Sequence, residues 1–199
     1  ALTGSTYDYP EGYLQMDFSG AALKINNLGG FCANADQTND CSVISEGYDT
    51  SEPWLLYTNV GKLRKIGDAA GAAAMTQVDL KVEVAPGSEY RANNGAILNG
   101  FDKNNVFGEI NMGGRAGLDF PAGSSTNEAT FIFTLLDSST NLPVEGLKYF
   151  AFSYFDFDSS TGYAGRECIT LQEPAQSQYD FQMGSAVSQS VSGNVPKFC

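Results

Sequence analysis

The segment Tyr149–Asp158, which reads YFAFSYFDFD, dominates the fold that the sequence predicts. Side chains alternate between the two faces of a strand, so one face carries Phe150, Phe152 and Tyr154 and the other carries Phe155 and Phe157. Either both faces are covered, as in a central strand, or a bulge near Tyr154–Phe155 changes the register. The bulge is favoured, because a regular strand would put Asp156 and Asp158 on the face of Phe150, where buried carboxylates need partners or a cation.

Other strands are predicted on both sides of this segment. The clearest is Val78–Val84, where Val and Leu alternate with charged residues, so that one face is wet. Ala129–Leu136 is also strongly β in character, and the run Asp137-Ser-Ser-Thr-Asn141 that follows it predicts a turn. Tyr13–Phe18 and Ala21–Leu28 are predicted to form a hairpin that turns at Ser19-Gly20. The alternation predicts a core to which the following residues contribute: Val78, Leu80, Val82, Phe131, Phe133, Phe150, Phe152 and Ile169.

The pattern of short strands and polar turns predicts an all-β protein. The expected architecture is a two-sheet sandwich, Ig-like or jelly-roll-like, with long disulfide-clipped loops. Residues 1–20 are predicted to form an N-terminal extended arm and the first strand, and residues 21–199 a single β-sandwich domain. The chain is long enough for such a domain to bury a sizeable core.

Composition excludes several functions. The net charge is −12, which makes nucleic acid and anionic lipid poor partners. The chain has no histidine, which removes the usual general base and the commonest metal ligand. No apolar run is long enough to cross a bilayer, so membrane insertion is not expected. We therefore do not expect an enzyme, although paired carboxylates would leave glycoside hydrolysis formally open.

The cysteines Cys32, Cys41, Cys168 and Cys199 indicate an oxidising compartment, and hence a secreted or cell-surface protein. Four cysteines allow three pairings. The favoured pairing is Cys32–Cys41, which clips a polar loop, with Cys168–Cys199, which ties down the C-terminal segment. Four unpaired thiols are the alternative.

Part of the chain resembles a known group of proteins. The run FIFTLLDSSTNLPVEGLKYFAFSYFDFD at 131–158, with Gly165-Arg-Glu-Cys168 and the upstream Phe107-Gly-Glu-Ile-Asn111, is similar to secreted β-sandwich domains of unknown function from algae and other protists. The resemblance covers roughly residues 78–172. It implies a secreted sandwich and carries no activity.

Two kinds of binding site are candidates. Asp137, Asp156 and Asp158 offer hard oxygen ligands at strand ends, as calcium prefers, although the same residues can instead cap turns. A sugar-stacking platform is conceivable at Trp54 with Tyr57, or among the tyrosines Tyr7, Tyr9 and Tyr13. Burial of these rings in the core is the favoured interpretation. Apart from calcium, no cofactor is expected.

The leading functional hypothesis is a non-catalytic extracellular structural subunit that associates with copies of itself. The arm Ala1–Gly12 runs directly into a strand whose apolar face carries Leu14, Met16 and Phe18. Such an arm can add a strand to a neighbouring copy, and repeated head-to-tail contacts build a fibril. The arm can also pack on its own domain. The second hypothesis is a secreted carbohydrate-binding module, with calcium as a candidate ligand.

Overall fold

A computed structural model describes residues 10–30, 51–64, 75–88, 90, 99–101, 108–110, 128–151, 168–170, 189–192 and 195–198. The chain divides into two compact units, Ala1–Ala151 and Phe152–Cys199. The regular structure of the described residues is strand, apart from 3₁₀ turns at Phe18–Gly20 and Leu28–Gly30, which confirms the all-β prediction. The two-sheet sandwich and the single domain over 21–199 stay predictions.

The first unit is built on a five-stranded antiparallel sheet. Its strands are β1 (Leu14–Met16), β2 (Ala22–Asn26), β3 (Trp54–Arg64), β4 (Met75–Val84) and β7 (Phe131–Asp137). A two-stranded sheet is formed by β5 (Gly100–Phe101) and β6 (Gly108–Glu109). β4 pairs with β3 on one side and with β7 on the other, so the strand that the sequence predicted most clearly is also central.

The core lies on one face of this sheet. Val78, Leu80 and Val82 of β4 are buried there as predicted, beside Leu55, Tyr57 and Leu63 of β3. Each such side chain, fully buried, contributes about 1.5–3 kcal/mol. The prediction that the opposite face of β4 is wet is wrong at Asp79, which is only 6% exposed.

The predicted hairpin between β1 and β2 is wrong. Both strands pair antiparallel with β3, β1 at Gly61–Leu63 and β2 at Leu55–Thr58, so they run in the same direction. Between them, the Asp17 carboxylate accepts a hydrogen bond from the Ser19 N–H at 2.9 Å, which starts a 3₁₀ turn. The hydrogen bonds from Ser19 also lower the pKa of Asp17. The chain therefore makes one edge strand with a break in it.

β3 contains a bulge where this break occurs. Tyr57 pairs with Leu80 and Gly61 with Val78, so three residues of β3 face the single residue Asp79. Asn59, in the middle of the bulge, has a φ of 59°, a left-handed conformation that Asn tolerates better than most residues. The sheet thus has two segments in different registers.

Residues 142–149, here named the strap, contact both margins of the sheet. At β7, the Asp137 N–H donates to the Leu142 carbonyl and the Val144 N–H to the Leu135 carbonyl, each at 2.9 Å. At β1, the Lys148 N–H donates to the Gly12 carbonyl at 2.8 Å. One segment can reach both margins only because the sheet is curled.

The β5–β6 pair packs on the core face. The Tyr57 hydroxyl donates to the Gly100 carbonyl at 2.7 Å, and its ring meets Phe101 edge-on at 5.2 Å. Phe18 completes the cluster, with its ring 5.9 Å from that of Tyr57. Tyr90 packs against Phe131 at 5.5 Å. Burial raises the pKa of Tyr57, because its hydroxyl is held away from water.

The aromatic segment Tyr149–Asp158 is described only at its start. Tyr149 makes an isolated parallel bridge to Tyr13, while Phe150 lies outside any strand. Residues 152–158 lie outside the described part of the chain, including the predicted core residue Phe152 and the bulge at 154–155. The core prediction is wrong for Phe150 and Phe133, which are 47% and 37% exposed. Phe131 does pack against the core.

In the second unit, the described residues form a three-stranded antiparallel sheet. Its order is β8 (Ile169–Thr170), β10 (Val195–Phe198) and β9 (Gln189–Ser192). Phe198 is buried and Ile169 is half-buried, so the predicted core residue Ile169 is partly withdrawn from water.

Candidate functional site

The first candidate site is the place where β1 docks. Leu14 pairs with Leu63 and Met16 with Gly61 of β3. The Leu14 side chain is 1% exposed and belongs to the core cluster, and Met16 and Phe18 pack against that cluster. The three residues that the sequence predicted to share an apolar face therefore do so. Their face is turned to their own domain, the arrangement that the sequence left open as the alternative to donation.

Gly61 permits β1 to approach β3 closely. A Cβ atom at this position would lie 2.5 Å from the Gln15 carbonyl oxygen and 3.2 Å from the Met16 Cα. Both are backbone atoms, so no side-chain rotation relieves the clash. The approach also brings the Asp17 N–H to 2.8 Å from the Val60 carbonyl oxygen. Gly61 is thus a requirement of the docked strand.

The strap covers the other edge of β1. The Leu14 N–H donates to the Tyr149 carbonyl at 2.9 Å, and the Tyr149 N–H donates to the Gly12 carbonyl at 3.1 Å. Gly12 also donates its N–H to the Arg64 carbonyl of β3 at 2.7 Å. Gly12 and Leu14 are therefore held from both sides, by β3 and by the strap.

The second candidate site is an open cleft beside the bulge of β3, with a volume of about 490 Å³. It is lined by Asn59, Met75, Thr76, Gln77, Asp137, Ser138 and Ser139. Just behind it, the buried Asp79 carboxylate accepts hydrogen bonds from the Asn59 N–H at 2.9 Å and from the Ser138 hydroxyl at 2.5 Å. These bonds fix the left-handed Asn59 and join the bulge to the end of β7.

Asp137, a predicted calcium ligand, caps its own turn. One carboxylate oxygen accepts from the Ser139 N–H at 2.9 Å and from the Ser139 hydroxyl at 2.6 Å. The Asn141 N–H donates to the Asp137 carbonyl, which confirms the predicted turn at 137–141. Asp156 and Asp158 lie outside the described residues. Within the part of the chain that is described, no group of three or more acidic or cysteine residues is placed to hold a metal ion.

Trp54 and Tyr57 do not form a sugar platform, and Tyr57 is buried in the core, as the favoured interpretation of the sequence expects. The two residues are three positions apart in β3, before the bulge, so their side chains point to opposite faces of the sheet. Tyr57 is buried in the core, whereas Trp54 lies on the outer face beside Glu83. The Lys81 ammonium stands 4.7 Å above the Trp54 ring and also pairs with Glu83. Of the tyrosines Tyr7, Tyr9 and Tyr13, only Tyr13 is described, and it is half-buried.

Three features of these sites were missed from the sequence. Gly12 and Gly61 matter only because another backbone passes close to them, and Asp79 matters only because a bulge lies opposite. The Asn59-Val-Gly61 run is the local signal that could have suggested the bulge, since Asn and Gly favour such backbone. Of the cysteines, Cys32, Cys41 and Cys199 lie outside the described residues, so the favoured pairing stays a prediction.

Comparison with known proteins adds no relatives: no family model, no curated protein and no solved structure matches this chain. The resemblance to secreted β-sandwich domains thus stays an expectation. Among the described residues, no helix has the length and apolar character needed to span a membrane.

Proposed function

We propose that this protein is a non-catalytic extracellular structural subunit that associates with copies of itself by exchanging its first strand. The observation that carries the proposal is the docking of β1: a three-residue strand whose Leu14 is fully withdrawn from water. A docking site that accepts β1 of the same chain has the shape and the hydrogen-bonding groups to accept β1 of another copy.

The connection between β1 and β2 supports exchange. Among the described residues β1 is the first strand, and the short segment Asp17–Ala21 joins it to β2. Ser19 and Gly20 in this segment are exposed, and the space around Gly20 is open. The Phe18 ring meanwhile packs between Tyr57 and Phe101. Exchange that hinges at Ser19-Gly20 therefore carries the Phe18 ring along with β1, so that the second copy receives Leu14, Met16 and Phe18 together.

Geometry decides what exchange produces. Reciprocal exchange between two copies closes into a dimer, whereas one-way donation continues from copy to copy as a fibril. The extracellular setting is supported by Cys168, which is in its disulfide-bonded form, since disulfides persist in oxidising compartments. A strongly negative surface is compatible with a protein that works outside the cell without nucleic acid or membrane partners.

Cross-linking between two variants tests the proposal. Gln15 and Lys62 are exposed and directly opposite each other in β1 and β3. We expect that a concentrated mixture of the Gln15→Cys and Lys62→Cys variants, when oxidised, gives an interchain disulfide between positions 15 and 62. Peptide mass analysis identifies it. A mixture of Gln15→Cys with Lys24→Cys, an exposed position on β2, is the matched control and should give no specific product.

A single chain that carries both Gln15→Cys and Lys62→Cys shows whether a disulfide between positions 15 and 62 can form at all. If the double variant forms the bond within one chain and the mixture gives none at any concentration, strand exchange does not occur.

The cleft beside the bulge of β3 supports a second candidate function, carbohydrate binding. Amide, hydroxyl and carboxylate groups converge there, which suits hydroxyl-rich ligands. A glycan array, repeated with and without calcium, tests this function. Thr76→Val should weaken any binding found, because it removes a lining hydroxyl and keeps the shape, while Thr134→Val on β7 should not. Failure of every glycan to bind would eliminate this candidate.

A further inference from the structure

The strap is the feature of the fold that decides whether β1 can leave. It begins at β7, crosses to β1 and is bonded to the backbone at both margins of the sheet. Val144 and Leu147 pack against the core on the way, whereas Leu142 and Tyr149 are 63% and 60% exposed. The strap is therefore fixed by a few inward side chains and by its backbone hydrogen bonds.

Its contact with β1 is tight at Gly12. A Cβ atom on Gly12 would lie 2.7 Å from the Gly146 carbonyl oxygen and 2.8 Å from the Lys148 Cγ. The Gly12 carbonyl receives two strap N–H groups, and the Leu14 N–H returns a third bond to the strap. The fit leaves no room for a side chain at Gly12, and it encloses β1 between two neighbours.

We propose that the strap is a lock on strand exchange: β1 is held in its own domain while the strap is bonded to Gly12 and Leu14, and becomes exchangeable when the strap lifts from them. The inference rests on the proposed exchange of β1 and says which part of the chain regulates that exchange. Only residues 148–149 of the strap need to separate from Gly12 and Leu14, because the hydrogen bonds of the strap to β7 are separate from these. The apolar contacts of Leu147 with the core set the free-energy cost of detaching this end of the strap.

A pair of glycine substitutions tests the lock. Gly12→Ala puts a methyl group into the strap, and Gly87→Ala is the matched control: the two glycines have φ of +76° and +79°, but the space around Gly87 is open. Both substitutions therefore carry the same backbone strain, and only the first displaces the strap. We expect Gly12→Ala to lower the hydrogen-exchange protection of the Lys148 and Tyr149 amides by about tenfold or more, as loss of these bonds implies.

Exchange of β1 should rise in parallel. The interchain cross-link between positions 15 and 62 should form about tenfold faster when Gly12→Ala is added to both partners, and at an unchanged rate with Gly87→Ala. A second variant acts in the opposite direction. Tyr13 and Tyr149 are bridge partners, so Tyr13→Cys/Tyr149→Cys can bond the strap to β1 covalently and should suppress the cross-link.

The outcomes separate the lock from the exchange. If the strap amides lose protection and the cross-linking rate stays the same in every variant, the lock is wrong although exchange stands. If no variant, including Gly12→Ala, cross-links between chains, exchange itself is wrong and the lock falls with it. If Gly12→Ala does not fold, an undiminished cross-linking rate in the covalently strapped variant still overturns the lock.

Discussion

Replacing Gly61 with alanine should release β1 from the sheet. The added Cβ would lie 2.5 Å from the Gln15 carbonyl oxygen, well inside the distance that real Cβ atoms keep. The neighbours on the other side cannot yield easily, because Gly61 is itself paired with Val78 of the central strand β4. The strain is relieved at the lowest cost by moving the strand that is paired least extensively, which is β1.

The size of the effect follows from Leu14. When β1 leaves, the core loses a side chain that is 1% exposed, which creates a vacancy at least as large as a Leu→Ala substitution would. Such vacancies cost about 2–5 kcal/mol. The three residues of β1 also lose their backbone hydrogen bonds to β3, at about 0.5–1.5 kcal/mol each, while they regain backbone entropy of about 1–2 kcal/mol per residue, and these two effects largely cancel. We therefore expect the free energy of unfolding of the first unit to fall by roughly 2–4 kcal/mol, as the vacancy alone implies.

Denaturant unfolding and amide hydrogen exchange measure this prediction. In Gly61→Ala, the Leu14 and Asp17 amides should lose protection. Gly20→Ala is the control, because its Cβ meets nothing within 4 Å, and it should change the unfolding free energy by less than about 1 kcal/mol. A Gly61→Ala protein of unchanged stability with a protected Asp17 amide, which donates to Val60 of β3, would refute the claim that close approach at Gly61 holds β1.

Two further predictions concern buried polar groups. Asp79→Ala should lower the free energy of unfolding by roughly 2–4 kcal/mol in denaturant titrations, because the Asn59 N–H and Ser138 hydroxyl lose a charged acceptor. Glu83→Ala, which breaks a partly exposed ion pair, should cost less than about 1 kcal/mol, and equal losses in the two variants would contradict the assigned role of Asp79. Burial raises the pKa of Tyr90 to about 12, whereas the pKa of a tyrosine in the unfolded chain is about 10. The contribution of Tyr90 to the free energy of unfolding is therefore intact below about pH 10 and is lost as the pH rises towards 12, by about 1.4 kcal/mol per pH unit. Tyr90→Phe should make the free energy of unfolding fall less steeply with pH in this range. An unchanged pH dependence in this variant would show that other groups cause it.

Local patterning predicted the parts of the fold that depend on one strand at a time. The alternation at Val78–Val84 identified β4 and its buried face, and the Asp-Ser-Ser-Thr-Asn run predicted the turn that begins at Asp137. Both follow from the preferences of a few adjacent residues. The pairing of β1 with β2 could not be obtained in this way, because Ser19-Gly20 suits a hairpin turn and a 3₁₀ turn equally. The eleven-residue length of β3 decides the matter, since it accommodates both strands in line.

Burial was harder to predict than strand direction. Alternation says which side chains share a face, but it does not say what covers that face. Phe133 lies on the predicted side of β7, opposite Val82, and is nevertheless 37% exposed. Asp79 lies on the side expected to be wet, where the bulge of β3 and Ser138 enclose it. In the candidate docking site, the apolar face of β1 was predictable, whereas Gly12 and Gly61 depend on contacts with segments distant in the sequence.

The break between β1 and β2 and the bulge in β3 are one discontinuity seen in neighbouring strands. Asp17, at the break, donates its N–H to Val60 in the bulge, and Asp79 of β4 fixes the bulge from the other side. The register of β3 against β4 changes at the same level. β2 therefore pairs with one segment of β3 and β1 with the next segment. Release of β1 from the sheet consequently need not break the bonds that hold β2. Release of β1 by Gly61→Ala should accordingly leave the β2 amides protected, whereas equal loss of protection in both strands would mean that the edge acts as a single strand and that β1 cannot be exchanged alone.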